Sequence, residues 1–273
     1  MNEIYEEILN LKKGGGESVL VTVVEKEGSS PSGLQTKMLV FPDGKKIGTV
    51  GGGSLEYAAV ETAGEVLNKK TGFMKKYSLG AGNELIDAED TGMICGGTTT
   101  LFFEYIGSGE KIYIFGAGHV GRAILYHLNH LDYHITIVDS RDGFLNDITN
   151  VQKTVKLDNP ENISDIDIAD NSFVIIASHS HEVDFQILKG VFKSGSNPRY
   201  VGLIGSRKKV AKTLKRLKDE AGNDLNLENL YTPIGLDTGG RSPHDIAISI
   251  VSEIQAVRYD KKGNLHMSKI KSE

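Results

Sequence analysis

The 273-residue chain has a single cysteine, Cys95, so no intramolecular disulfide can form. That thiol is either a small buried apolar group or a reactive or ligating one. Positive charge is not in excess: the net charge is −5, which excludes a broad basic surface for nucleic acid or anionic membrane. No apolar run approaches the ~20 residues that cross a bilayer. The acidic start MNEIYEEILN places Ile4, Ile8 and Leu11 on one helical face and does not read as a signal peptide. No internal repeat or low-complexity tract interrupts the chain. A lone cysteine fits a reducing compartment, and a soluble cytoplasmic protein is the expectation. With 39% apolar residues the chain can fill two ordinary domains.

Residues 1–108 are expected to form a small α+β domain. Strands are predicted over Val19–Val24, Met38–Phe41, Phe73–Leu79 and Thr98–Ile106, with a hairpin turn at Pro42-Asp43-Gly44. A helix over Ser54–Asn68 is expected to be capped by Ser54. After the linker Gly107-Ser108-Gly109, strands at Ile112–Phe115, Ile135–Val138, Phe173–Ala177 and Val201–Ile204 alternate with helices at Ala117–Asn129, Val183–Phe192, Arg207–Lys218 and Pro243–Arg258. This alternation predicts an α/β fold, a Rossmann-like doubly wound parallel sheet over residues 109–258. The last helix carries its own start signals, Ser242, Pro243 and Asp245. Residues 259–273 read as a polar, Lys-rich tail, and the cations of Arg207–Lys218 as a solvated face opposite an apolar stripe.

Five places could carry chemistry. Cys95 stands before Gly96 and Gly97, whose backbone amides are exposed donors for an anion. Gly51, Gly52 and Gly53 precede a helix that bears Glu56. Gly116-Ala117-Gly118-His119-Val120-Gly121 is a GxGxxG between a strand and a helix, and Asp139 ends the next strand, where it could bind a ribose 2′-OH. Arg141, two residues on, leaves the 2′-substituent unsettled, and the same glycines also serve strand-to-helix packing. His179 and His181 follow a strand at the carboxyl edge of the sheet; with Asp184 they could ligate a metal, cap a helix or bond a ligand, and no metal site is assigned. Gly205-Ser206-Arg207 and the loop from Gly235 to Gly240 each precede a helix N-terminus, suiting an anion or simple connection.

Taken together, Gly48–Glu56, Met93–Gly97, Ile114–Gly121, Ile204–Arg207 and Pro233–Leu236 resemble the XdhC/CoxI family of xanthine dehydrogenase accessory factors over nearly the whole chain. The resemblance implies a chaperone rather than a catalyst. Such a protein binds the molybdenum cofactor (molybdopterin), protects it while a cysteine desulfurase installs the terminal sulfido ligand, and delivers it to a molybdenum hydroxylase such as xanthine dehydrogenase. By position, Cys95 becomes a cofactor thiolate ligand or a sulfur carrier, with Gly51–Gly53, Glu56, Gly96 and Gly97 around the cofactor. Many relatives have a second cysteine in the first glycine-rich motif, where this chain has Ser54. NAD(P) or another nucleotide stays a candidate ligand of the Rossmann-like domain, and a homodimer stays open. The competing classes are an NAD-dependent oxidoreductase and an NAD(H)-sensing regulatory module.

Overall fold

Apolar residues that alternate along the first strands belong to opposite faces of a sheet, because successive strand side chains point opposite ways. The computed structural model describes residues 2–29, 32–80, 89–90, 94–221 and 225–263, with the side chains at 80, 89, 90, 94, 95 and 221 excepted. The chain divides into two compact units, Met1–Ser108 and Gly109–Glu273.

In the first unit, β1 (Glu17–Glu27), β2 (Lys37–Val40), β3 (Lys46–Gly48), β4 (Phe73–Gly80), β5 (Glu89–Asp90) and β6 (Ile94–Gly107) form a sheet in the order β3-β2-β1-β6-β4-β5. All pairs are antiparallel except β4 with β5. Val19, Val21 and Val23 pack with Leu55, Ala59, Ala63 and Val66 of helix α2 (Gly53–Lys69). Leu20 faces the other way and meets Ile4 of helix α1 (Asn2–Gly14). Full burial of each such Val or Leu stabilises the fold by about 1.5–3 kcal/mol. The Pro42-Asp43-Gly44 turn closes as expected: the Phe41 amide donates to the Lys45 carbonyl at 2.9 Å, and Gly44 takes φ +79°. The helix start differs from expectation. α2 begins at Gly53 with Gly52 at the N-cap (φ 75°) and no side-chain cap. Ser54 already lies inside the first turn, and Glu56 instead reaches back to accept from the Gly52 amide at 3.0 Å.

In the second unit every pair is parallel. Strands β7 (Glu110–Phe115), β8 (Tyr133–Asp139), β9 (Lys153–Lys156), β10 (Phe173–Ile176), β11 (Tyr200–Leu203) and β12 (Leu230–Tyr231) run in the order β12-β11-β10-β7-β8-β9. Helices α3 (His119–Leu128), α4 (His181–Lys193), α5 (Arg207–Ala221) and α6 (Pro243–Arg258) join or follow them. Counted from β7, this is the doubly wound order of a Rossmann fold, with the strand order reversing between β7 and β10. Ile112 and Ile114 pack on the α3 and α6 side; Tyr113 and Phe115 pack on the opposite face with Phe185 and Leu188 of α4. Strands buried on both faces are continuously apolar, which is why the central ones are readable in the sequence. β9 has no counterpart among the expected strands, since its sequence Lys-Thr-Val-Lys is exposed at the sheet edge, where charge blunts further pairing. α6 has its capping box between Ser242 and Asp245 with Pro243 in the first turn. Of the expected tail, residues 264–273 lie outside the described residues.

The turn from β7 to α3 is closed by backbone against backbone. A Cβ at Gly121 would lie 1.8 Å from the Gly116 carbonyl oxygen, and one at Gly116 2.1 Å from that of Ala177. Gly121→Ala is therefore expected to cost about 3 kcal/mol. Differential scanning calorimetry should show the melting of the second unit lowered by roughly 6–12 °C; an unchanged transition would mean that the turn opens freely.

Candidate functional site

In the first unit the loop after β1 touches two glycine-bearing segments that are distant in sequence. The loop after β1 lies against the start of β6: a Cβ on Gly97 would sit 2.5 Å from the Glu27 carbonyl oxygen and 2.6 Å from that of Ser29, and one on Gly28 3.1 Å from that of Gly96. The same loop reaches the first glycine-rich motif, where the Ser32 hydroxyl donates to the Val50 carbonyl at 2.7 Å. Val50, which precedes Gly51–Gly53, and Gly96–Gly97, separate in sequence, thus both touch this loop, the first at Ser32 and the second at Gly28 and Ser29. Gly97 is fixed by packing, whereas a Cβ on Gly96 (φ +71°) would have no neighbour within 4 Å among the described residues. Cys95 is the second residue of β6, between β1 and β4. Its thiol, like Met93, lies outside the described residues.

Within the triplet the amides are unequal. Gly51 donates to the Thr49 hydroxyl at 3.2 Å and Gly52 to Glu56, so both serve the loop itself. The Gly53 end opens α2, whose N-cap glycine has no side chain and whose first turn already has the Glu56 carboxylate facing its dipole. Glu56 is buried and also accepts from Lys46 and Thr49. Burial pushes its carboxyl up, but the Lys46 and Thr49 bonds and the Gly52 amide outweigh this and hold it below the ordinary range. Glu56 is a tie between β3 and the glycine loop. Sequence reading singles out Glu56 without its partners, because Lys46 and Thr49 become neighbours only when the hairpin folds.

The second unit gathers its candidates at the carboxyl edge of a parallel sheet, where ligands of this architecture bind. A cavity of about 250 Å³ is lined by Gly118, His119, Val120, Arg141, Ala177, Ser178, His179 and Ile204. Asp139 lies beside it with its side chain only 2% exposed. Its two oxygens accept from the Ala117 amide (2.7 Å), the Arg141 amide (2.9 Å) and the Arg141 guanidinium (2.7 and 3.0 Å). Arg122 is committed elsewhere, to Asp147 and the carbonyls of Ala117 and Phe144. His181 is exposed on α4, its Nδ1 3.9 Å from buried Asp184, which accepts from the Ser178 amide at 2.9 Å. Burial raises the Asp184 carboxyl. Among the described residues no group of three His, Cys, Asp or Glu side chains could hold a metal ion.

The remaining candidates are used differently. Gly205 and Ser206 lead from β11 into α5, and Arg207 opens that helix in solvent. Gly235 donates to Glu253 at 2.9 Å, and a Cβ there would meet the Ser249 hydroxyl, so its loop is packed against α6. Asp245 accepts from the Arg241 and Ser242 amides and completes the start of α6 internally.

The environment of Asp139 has a measurable consequence. Burial would raise its carboxyl, yet the Arg141 and Ala117 hydrogen bonds bring it down to about 2. An unfolded aspartate titrates near 3.9, so this group contributes about 2–3 kcal/mol that is complete above pH ~4, falls as pH drops toward ~2 and is then gone. Asp139→Asn should lose that amount at neutral pH and flatten the acid limb between pH ~4 and ~2. Urea unfolding across this range checks it; an unaltered acid limb would show that the charge contributes nothing.

The comparisons with known proteins agree with this architecture. The family model for the XdhC Rossmann domain matches residues 112–254, and that for the XdhC and CoxI family matches residues 11–78. The uncharacterised protein YqeB of Escherichia coli K12 is 29% identical over 269 residues, 97% of this chain and 48% of its own length. A Bacillus subtilis 168 protein named as a probable subunit of xanthine dehydrogenase is 22% identical over 163 residues, 59% of this chain and 47% of its own. The chain thus spans about half the length of these curated relatives. A crystal structure described as a xanthine dehydrogenase from Bacillus halodurans shares the fold, with TM-score 0.51 at 19% identity over 96% of this chain and 98% of the other. Among the described residues no helix is long and apolar enough to cross a membrane. With its Rossmann unit and its first glycine-rich segment both matched, this chain belongs to the XdhC and CoxI family.

Proposed function

We propose that this protein is an accessory factor that binds the molybdenum cofactor, supports its sulfuration and delivers it to a molybdenum hydroxylase such as xanthine dehydrogenase. The observation that carries the reading is the contact of Gly28 and Ser29 with Gly96 and Gly97 at the start of the strand that bears Cys95, with Ser32 of the same loop bonded to Val50, next to Gly51–Gly53 in the chain. A molybdenum dithiolene centre is soft, and a cysteine thiolate is the softest ligand that a protein offers it. The open backbone at Gly96 suits the cofactor's phosphate. Cys95 is the only cysteine of the chain, and the first glycine-rich motif has Ser54, so ligand binding or sulfur carriage falls to Cys95 alone. A cysteine desulfurase is the partner that supplies sulfur in this reading, and a reducing, cytoplasmic setting keeps the thiol available.

Mixing the purified protein with molybdenum cofactor and separating by gel filtration tests the proposal through the molybdenum and pterin that co-elute. The wild type should retain the cofactor, and Cys95→Ser about tenfold less. Equal retention by both would remove Cys95 from the role, and no retention by the wild type would end the reading.

A further inference from the structure

A surface helix ordinarily turns an apolar stripe to the core and charges to water. Helix α5 does so: Val210 and Leu217 are buried, and Lys208, Lys212 and Lys215 stand exposed on the opposite side. Helix α6 does not. Its inward residues Ala247, Ile250 and Ile254 are buried, yet the side turned away from them, His244, Ile248, Ser252, Gln255 and Tyr259, has no carboxylate, lysine or arginine. Spacings of three and four residues keep these five on one side of the helix. The charged side chains that α6 does have are used within the unit. Asp245 accepts from the Arg241 and Ser242 amides, and Glu253 from the Tyr200 hydroxyl at 2.6 Å and the Gly235 amide at 2.9 Å. Arg258 pairs with Glu110 at 2.6 Å and lies over the Tyr133 ring.

Helix α3 and the turn after it extend this face. Tyr126 packs edge-on against His130 and against His244 of α6, with ring centroids 5.7 and 5.8 Å apart, and His127 lies 5.6 Å from His244. Large apolar groups are left in solvent here: Tyr126 is 59% exposed, Ile248 48% and Tyr259 61%. Tyrosine rings and aliphatic groups with few charges between them are the composition of an interface centre.

Charge and size together select what covers the face. In an isologous contact a surface meets its own copy, so a charge near the twofold axis would meet a like charge. A surface for a different protein has no such constraint, and opposite charges there steer the encounter. The outward side of α6, without an acid, lysine or arginine along its length, has the composition that pairing with itself demands. Its 16 residues span about 24 Å. With α3 alongside, the face measures roughly 24 by 20 Å, and two copies would cover about 1,000 Å², the size from which specific interfaces begin. We infer that α3 and α6 form the contact of a symmetric homodimer, with Ile248 and Ser252 near the same segment of the second copy. The inference rests on the second unit alone and stands apart from the cofactor proposal.

Sedimentation velocity of the full-length protein over roughly 1–100 μM tests it. The wild type should approach twice the mass of one chain as concentration rises. Ser252→Lys and Ile248→Glu each place a charge on the face and should weaken the dimer about a hundredfold. Tyr126→Ser, a truncation of an exposed ring, should weaken it about tenfold and keeps the test valid if either charge disturbs folding, which circular dichroism will show. Lys212→Glu, on the solvated side of α5, should leave the association as it is. A wild type that stays monomeric throughout overturns the inference, whatever else covers the face. So does a dimer that the folded variants of this face leave undiminished, or one that Lys212→Glu weakens as strongly as they do.

Discussion

At the turn from β7 into α3 the chain passes itself with no side chain between: Gly121 lies on the carbonyl of Gly116, and Gly116 on that of Ala177. The carboxyl edge of the second sheet depends on this closeness. It brings the first turn of α3 to the crevice where the strand order reverses and sets Ser178 and His179 across from it. The first unit has the same kind of contact, with Gly97 against the carbonyls of Glu27 and Ser29. In both units, glycines demanded by close packing lie beside others that packing leaves free.

Two carboxylates illustrate how charge holds these loops. Glu56 gathers Lys46, Thr49 and the Gly52 amide; Asp139 gathers Arg141 and the Ala117 amide. Each is buried and each is held below its ordinary pKa by donors that outweigh the cost of burial. Their work is to give a glycine-rich turn one shape. A loop with a preset shape loses less entropy when a ligand arrives, which is how preorganisation raises affinity.

Much of the second unit was legible because its central strands are short apolar runs and its helices announce their ends. Phe173–Ile176 and the Ser242-Pro243-Asp245 start are clear cases. Edge strands were harder: β9 offers only one apolar residue, and β12 is two residues long. At the candidate sites the glycines and Asp139 were legible as motifs, whereas their partners were not. That Arg141 turns back onto Asp139, and that Gly28, Ser29 and Ser32 touch two segments distant in sequence, follows from tertiary closure, which no local pattern encodes.

The pairing of β1 with β6 has a consequence in time. Its partners run from Glu17 with Gly107 to Glu27 with Thr98, so the two longest strands of the first sheet are separated by most of that unit's sequence. Contacts so far apart must await closure of a long loop, which slows folding. On the ribosome β1 emerges early and has only the β2 hairpin beside it until β6 is made. The strand that carries Cys95 is therefore the piece that completes the sheet, and the glycine cluster around it comes into being only at that last step of assembly.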